Sequence, residues 1–343
     1  MFSPDSPISE FVSISTHVAP SVVKTTAGDY LLIWHLGGLP FVGRDDFDLE
    51  QRHKTFNRLL QTLRAPDFSN VAFWVHDVRR KRRVGTGGRF KQAFNQNLSD
   101  EYYTALSSQK IMQNELYFSM IYRPVVTGRR LVEKSADPDK IRAEEEQAIA
   151  KVVELATNVE AVLKDYAPYR LGMYEAKNGV VFSETLEFLG YLLNRIDEPV
   201  PVLAAPVPAY LPVSKHMFAN KTGDFVVRTP DGINHFGAIL NIKEYADGTY
   251  PGILNGLKYL DFEYVITQSF SPVGRHDALK VLERTKGMMI SSGDKSSTQI
   301  RDLDVAMDDV ASGNFVLGEY HFTLAVYADS QEKLSQNIAT TRA

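Results

Sequence analysis

The sequence predicts a mixed α/β chain of two lobes, each made of β-hairpins and sheets covered by helices, and three observations carry that expectation. Runs rich in β-branched and aromatic residues alternate with stretches whose apolar residues recur at helical spacing. A proline-rich stretch from Pro199 to Ser214 interrupts the alternation. No repeat of 20 to 50 residues is visible, which argues against a solenoid. A chain of 343 residues has room for two ordinary domains, and 44% apolar with 23% charged residues excludes disorder, collagen and coiled coil.

Val22 to Thr26 and Tyr30 to Leu36 are β-prone runs around Ala27-Gly28-Asp29, a turn in which glycine supplies positive φ, so a hairpin is expected. Asp46 to Leu63 places Phe47, Phe56, Leu59, Leu60 and Leu63 at helical spacing, and Val71 to Val78 returns to strand composition. Helical pattern resumes over Phe90 to Leu106, strand over Leu116 to Arg123, and a long helix over Asp139 to Tyr166. Pro138 and the run Glu144-Glu145-Glu146 suit that helix's positive end. Tyr169 to Tyr174 and a helix near Glu184 to Asn194 close the first lobe, residues 1–198.

Five prolines (199, 201, 206, 208 and 212) lie between residues 199 and 214. A membrane-spanning helix could not keep its backbone bonds through so many rings, so the segment reads as an extended linker or edge. Residues 215–343 form the second predicted lobe. There, Phe225 to Arg228 and His235 to Ile242 flank the turn Thr229-Pro230-Asp231-Gly232. A short helix around Ile253 to Leu260 follows, then a strand at Tyr264 to Phe270. Helices at Asp277 to Ile290 and Thr298 to Ala311 precede a strand at His321 to Tyr327. Ser330 to Ala343 reads as a helix with Leu334 and Ile338 on one face. Its pattern stops without a cap, which reads as part of something longer.

Lys plus Arg total 38 against 42 Asp plus Glu, a net charge of -4, so attraction to phosphate must be local. Zero cysteines exclude disulfides, thiolate metal sites and a cysteine nucleophile, and fit a reducing compartment; the cytoplasm is the expected location. Met1 to Pro7 carries no basic start and apolar core, so a signal peptide is not expected there.

A phosphate-binding P-loop needs Gly-Lys-[Ser/Thr] after a glycine turn, and no Gly-Lys dipeptide occurs. In Ser291-Ser292-Gly293-Asp294-Lys295-Ser296-Ser297 an aspartate separates glycine from lysine, so a polar loop capping the next helix is expected. Gly85-Thr86-Gly87-Gly88-Arg89-Phe90 puts Phe90 where a dinucleotide fingerprint needs its third glycine, and reads as a loop. The eight histidines show no H-x-x-x-H or H-x-H pair, and His76 and His321 fall in β-rich runs as face or core residues. No G-x-S-x-G elbow is present. Asp302, Asp304, Asp308 and Asp309 lie on the wet side of a helix whose apolar face is Ile300, Leu303, Met307 and Val310. No catalytic, cofactor-binding or metal-ligating residue is assigned.

Arg79-Arg80-Lys81-Arg82-Arg83 is the conspicuous charge feature. One reading is a solvated strand end whose like charges discourage edge pairing. The other is a contact for a partner protein, anionic lipid or nucleic acid, which makes these five residues the candidate partner or membrane site.

Several strings in order resemble the CagE/TrbE/VirB family of type IV secretion ATPases. They are Pro251 to Asn255, Tyr264 to Phe270, Ser291 to Lys295, Gly318 to His321 and Val326 to Asp329. Upstream, Trp74 to Arg80, Arg89-Phe90, Asn114 to Phe118 and Arg123-Pro124 are similar to the family's amino-terminal half, so the resemblance runs from about Thr16 to Asp329. It implies a subunit of the machine that exports DNA or effector proteins across the bacterial envelope. It further implies hexameric assembly in the full protein and a place against small membrane subunits on the cytoplasmic face of the inner membrane. Family members carry a P-loop ATPase domain after the matched region; this sequence shows no Walker motif. ATP and magnesium are therefore expected only for a downstream domain, with no cofactor in this chain. An assembly and interaction region is the leading expectation. A nucleic-acid-binding module using Arg79 to Arg83 is the alternative, and a metal-independent hydrolase a third.

Overall fold

The computed structural model describes residues 6–39, 43–62, 70–81, 87–109, 111–124, 138–213, 216–219, 223–244, 248, 250, 252–292 and 297–342. The strands are β1 (Ile14–Ala19), β2 (Val22–Thr25), β3 (Tyr30–Leu36), β4 (Val71–Lys81), β5 (Met112–Tyr122), β6 (Pro168–Arg170), β7 (Met173–Glu175), β8 (Val181–Ser183), β9 (His216–Ala219), β10 (Asp224–Arg228), β11 (Asn234–Leu240), β12 (Tyr264–Pro272) and β13 (Gly318–Ala328). The helices are α1 (Asp46–Thr62), α2 (Ala93–Ser108), α3 (Pro138–Leu163), α4 (Glu184–Asn194), α5 (Arg275–Ser291), α6 (Ser297–Ser312) and α7 (Gln331–Arg342). The fold is mixed α/β, as the alternation of patterns requires.

Two compact units are present. The first comprises residues 1–75, 117–213 and 268–322, the second 76–116, 214–267 and 323–343. In the first, strand order is β1-β2-β3-β5-β4-β12-β13, with β6 on β3. β2 and β3 form the expected hairpin, Val23 opposite Leu31, with Gly28 at φ 90 in its turn. β1 was not expected from the sequence. It pairs antiparallel with β2, its ladder interrupted by register shifts around Thr16 and His17 that blur the alternation of its side chains.

Tyr30 to Trp34 and Leu36 are buried, so β3 is covered on both faces. α3 supplies a stripe of Ala148, Val152, Leu155, Ala156, Val159 and Leu163, all buried at three- to four-residue spacing. Full burial of each larger side chain contributes roughly 1.5–3 kcal/mol relative to exposure. Where the stripe meets polar chemistry, Glu160 accepts from Trp34 Nε1 and Arg170 Nε at 2.7 Å each. Burial alone would raise the Glu160 carboxyl; these bonds and the Arg170 charge hold it below its usual range.

The proline-rich segment is an edge, and its prolines have positional meaning. Ser183 N–H donates to Val200 O and Val202 N–H to Val181 O, so Val200 and Val202 use their backbone toward β8. Pro201 stands opposite Phe182, and by the strand's two-residue period positions 199 and 201 would aim their N–H groups outward. Proline has no N–H there. The outer edge offers no donors at those positions to another chain, which guards against edge pairing. Farther on, Asn194 Nδ2 donates to Leu211 O at 2.8 Å and Val213 N–H to Asn194 Oδ1 at 3.0 Å, while Val207 and Leu211 are buried.

In the second unit the order is β5-β4-β12-β13-β11-β10-β9. β10 and β11 form the predicted hairpin, Val226 opposite Phe236, closed by Gly232 N–H donating to Thr229 O at 2.9 Å. β9, unexpected from its four residues, adds to β10 with Phe218 opposite Val226. α7 buries Leu334 and donates from Asn337 Nδ2 to Tyr327 O at 3.0 Å.

Because Asn194 ties the proline segment at two backbone groups, Asn194→Ala is expected to cost about 1–3 kcal/mol by leaving buried groups unpaired. Limited proteolysis checks it. The parent should resist cleavage between residues 199 and 213, and the variant should be cut there at low protease.

Candidate interaction site at the β4 basic run

β4 carries the basic run at its C-terminal end. Successive residues of a strand face opposite sides, so Asp77 and Arg79 share one face while His76, Val78 and Arg80 share the other. The structure divides the described cations, Arg79, Arg80 and Lys81, accordingly.

Arg79 is buried, at 8% exposure. Its Nε donates to Leu260 O at 2.5 Å and its Nη1 to Asn114 Oδ1 at 2.9 Å. Asp77 lies in the same electrostatic neighbourhood. Burial raises its carboxyl, and the charges of Lys258 and Arg79 work against that rise. Tyr264, fully buried, has its phenol pushed up by burial and then by the Asp77 charge. On the opposite face Arg80 Nη2 reaches Glu115 Oε2 at 2.8 Å, with side chains only 20% and 12% exposed. His76 is buried against Thr267 Oγ1, 3.0 Å from its Nδ1, and burial pushes its imidazole down to about 4.

Lys81 is exposed, and its backbone N–H donates to Glu263 Oε1 at 3.0 Å. Arg82 and Arg83 lie outside the described residues. The expectation of a wholly solvated run is therefore corrected at Arg79. Its acceptors come from β5 and from the turn before β12, and they convert a residue too polar for an apolar core into a hydrogen-bonded interior cation. Arg79 and Arg80 act as clasps inside the second unit, and Lys81 presents its charge to solvent.

Other chemistry-bearing residues are used internally. His17 meets Ala19 O at 3.2 Å and Ser183 Oγ at 2.7 Å; with Nδ1–H donating to the carbonyl, Nε2 accepts from the serine hydroxyl. Ser183 is fully buried and also accepts the Leu186 N–H at 3.1 Å as the N-cap of α4. The pair is a staple between β1 and α4, closed to substrate. A cavity of about 150 Å³ beside α4 is lined by Glu187, Gly190, Pro199, Pro201 and Tyr210 among others. Tyr174 hydroxyl donates to Glu187 at 2.8 Å, and burial raises the Glu187 carboxyl. Gly293 to Ser296, which the sequence reads as a capping loop, and Gly85-Thr86 lie outside the described residues.

The outer surface of α2 is a feature that its helical sequence pattern does not mark as a site. None of its residues is buried. Gln96, Ser99, Tyr103 and Leu106 are its half-buried positions, while Phe94, Leu98 and Tyr102 are 75%, 58% and 60% exposed. Spacing of four could have flagged the stripe, but the same spacing ordinarily marks a core face.

Comparison with known proteins places these features in a family context. A model of the CagE, TrbE, VirB family, component of type IV transporter system, matches residues 169–343. A model of the type IV secretion system ATPase VirB4/TrbE, N-terminal domain, matches residues 21–129. The chain is 34% identical over 339 residues to the type IV secretion system protein virB4 of Brucella suis, covering 96% of this chain and 40% of that protein. It is 31% identical over 341 residues to the type IV secretion system protein PtlC of Bordetella pertussis, covering 97% and 40%. With virB4 of Bartonella henselae it shares 27% identity over 339 residues, covering 97% and 42%. The chain spans about two fifths of the length of these relatives.

Two outcomes follow for the basic run. Arg79→Ala is expected to cost about 3–5 kcal/mol in denaturant unfolding, because it leaves Asp77 buried beside one fewer cation and Leu260 O without its donor. Lys81→Ala, at an exposed position, should stay within about 0.5 kcal/mol of the parent. The pH dependence has a definite sign at His76. Its folded pKa lies below the unfolded value of 6.5, so its neutral form contributes stability that is complete above about 6.5 and lost as pH falls toward about 4. Asp77, raised in the fold, works in the opposite direction over the carboxylate range. Urea unfolding at pH 7 and pH 4.5 should show a loss of up to about 3 kcal/mol from His76, and His76→Gln should flatten it.

Proposed function

We propose that this chain, which belongs to the CagE, TrbE, VirB family of type IV transporter components, is the assembly and interaction region of a secretion ATPase. In this reading it makes contacts with other subunits while nucleotide is handled elsewhere in the full-length protein. The observation that carries the proposal is the match of residues 21–129 to the N-terminal domain of a secretion ATPase, on a sequence without a Gly-Lys dipeptide. The internal use of His17, His76, Arg79 and Ser183 is consistent with it, since these groups hold the fold.

The full protein would support export of DNA or effector proteins, assemble as a hexamer, and lie against small membrane subunits at the cytoplasmic face of the inner membrane. No helix among the described residues is long and apolar enough to cross a membrane, which suits a peripheral contact. The contact proposed for Arg79 to Arg83 now rests on Lys81 among the described cations, because Arg79 and Arg80 face inward.

Calorimetry with magnesium ATP should give no heat of binding. Micromolar binding lost on Lys295→Ala would overturn the non-nucleotide reading. In parallel, the tagged chain should capture transporter subunits from cells carrying a secretion operon and none from a strain lacking it. Association with DNA that weakens steeply with salt would instead support a nucleic-acid module.

A further inference from the structure

We propose that the outer face of α2 is a homotypic docking surface, on which two copies of this chain pair antiparallel about a two-fold axis through Leu98. The first observation is that the helix leaves three large apolar side chains, Phe94, Leu98 and Tyr102, largely uncovered. Its half-buried positions are evenly divided, Gln96 and Ser99 polar, Tyr103 and Leu106 apolar, and the loop before it closes on that side. Phe90 N–H donates to Gln96 Oε1 at 2.9 Å, and a Cβ on Gly87 would stand 2.1 Å from Ser99 Oγ and 2.6 Å from the Tyr103 ring. Phe94, Leu98 and Tyr102, spaced one turn apart, face solvent instead. An amphipathic helix ordinarily packs its apolar stripe on its own core and its polar face outward.

The second observation selects the occupant. About Leu98 the face is a pseudo-palindrome: antiparallel pairing sets Phe94 against Tyr102 of the other copy twice, with Leu98 on Leu98 at the axis. The same operation brings Glu101 beside Asn95 and within reach of Lys91 of the other copy. It also puts Lys91 near the negative end of the facing helix. Asp100 already accepts from Gln96 Nε2 at 2.8 Å on the far side. An anionic lipid surface fits worse, since both charges within α2 are carboxylates, Asp100 and Glu101. A purely apolar partner helix would leave Glu101 facing hydrocarbon. Three large side chains offer on the order of 100 Å² each, and with their neighbours a pair would remove roughly 800–1,000 Å² in total, the range of transient interfaces. A dissociation constant of tens of micromolar, on the order of transient contacts, is expected. This contact is separate from any contact with other transporter subunits.

The test uses sedimentation of the purified chain from about 1 to about 300 µM, a span chosen to bracket that affinity. The parent should convert from monomer to dimer, and Leu98→Asp should weaken the dimer at least tenfold. Because the sequence contains no cysteine, Leu98→Cys supplies a single thiol at the proposed axis. It should form an intermolecular disulfide under mild oxidant much faster than Ser107→Cys, placed on the opposite side of the helix. Circular dichroism confirms that each variant is folded; if Leu98→Asp is not, the crosslinking comparison decides alone. A parent that stays monomeric, or equal crosslinking of the two cysteine variants, overturns the proposal. So does a Leu98→Asp chain that loses capture of transporter subunits while Leu98→Cys fails to crosslink, which would assign the face to another subunit.

Discussion

A buried guanidinium is the constraint around which the second unit is organised. Arg79 gives up water and in return donates hydrogen bonds to Asn114 Oδ1 and to the carbonyl of Leu260, with Asp77 nearby as the opposing charge. An interior cation tolerates little displacement, because the cost of leaving it unpaired is several kcal/mol. A one-residue slip of β4 would carry Arg79 to the opposite face, away from Asn114 and Leu260. The same slip would separate His76 from Thr267 and Arg80 from Glu115. The polar contacts of both faces thus agree on one register, and consistency of this kind is what makes a fold unique.

That commitment shapes the surface. Charges that a linear sequence offers as a contact patch are turned inward, leaving Lys81 as the exposed cation among those described. Elsewhere the surface is managed by other means. Pro199 and Pro201 remove donors from an extended edge, discouraging pairing at a place where the backbone would otherwise invite it. α2 does the reverse, presenting Phe94 and Tyr102 largely to solvent.

Local signals were legible in the sequence; long-range chemistry was not. The β2–β3 and β10–β11 hairpins follow from their turn residues, and the start of α3 from Pro138; the Ser183 cap of α4 shows only in the structure. β1 and β9 were hidden, the first by an irregular ladder and the second by its length. The fate of Arg79 depends on partners 35 and 181 residues away, so five consecutive cations read as solvated when one of them is interior. The α2 stripe was visible as a helical pattern, but whether such a stripe faces a core or water is decided by tertiary packing. The family was legible because many short strings occur in order along nearly the whole chain, a signal independent of where each side chain points.

The central claim, that the basic run is anchored inside the fold by Arg79, is tested most directly by nuclear magnetic resonance of the arginine side chains at neutral pH. One Nε–H, assigned to Arg79 by its loss in Arg79→Lys, should exchange with water far more slowly than those of exposed arginines such as Arg142. Fast exchange at Arg79, indistinguishable from the exposed arginines, would contradict it and return the whole run to the surface.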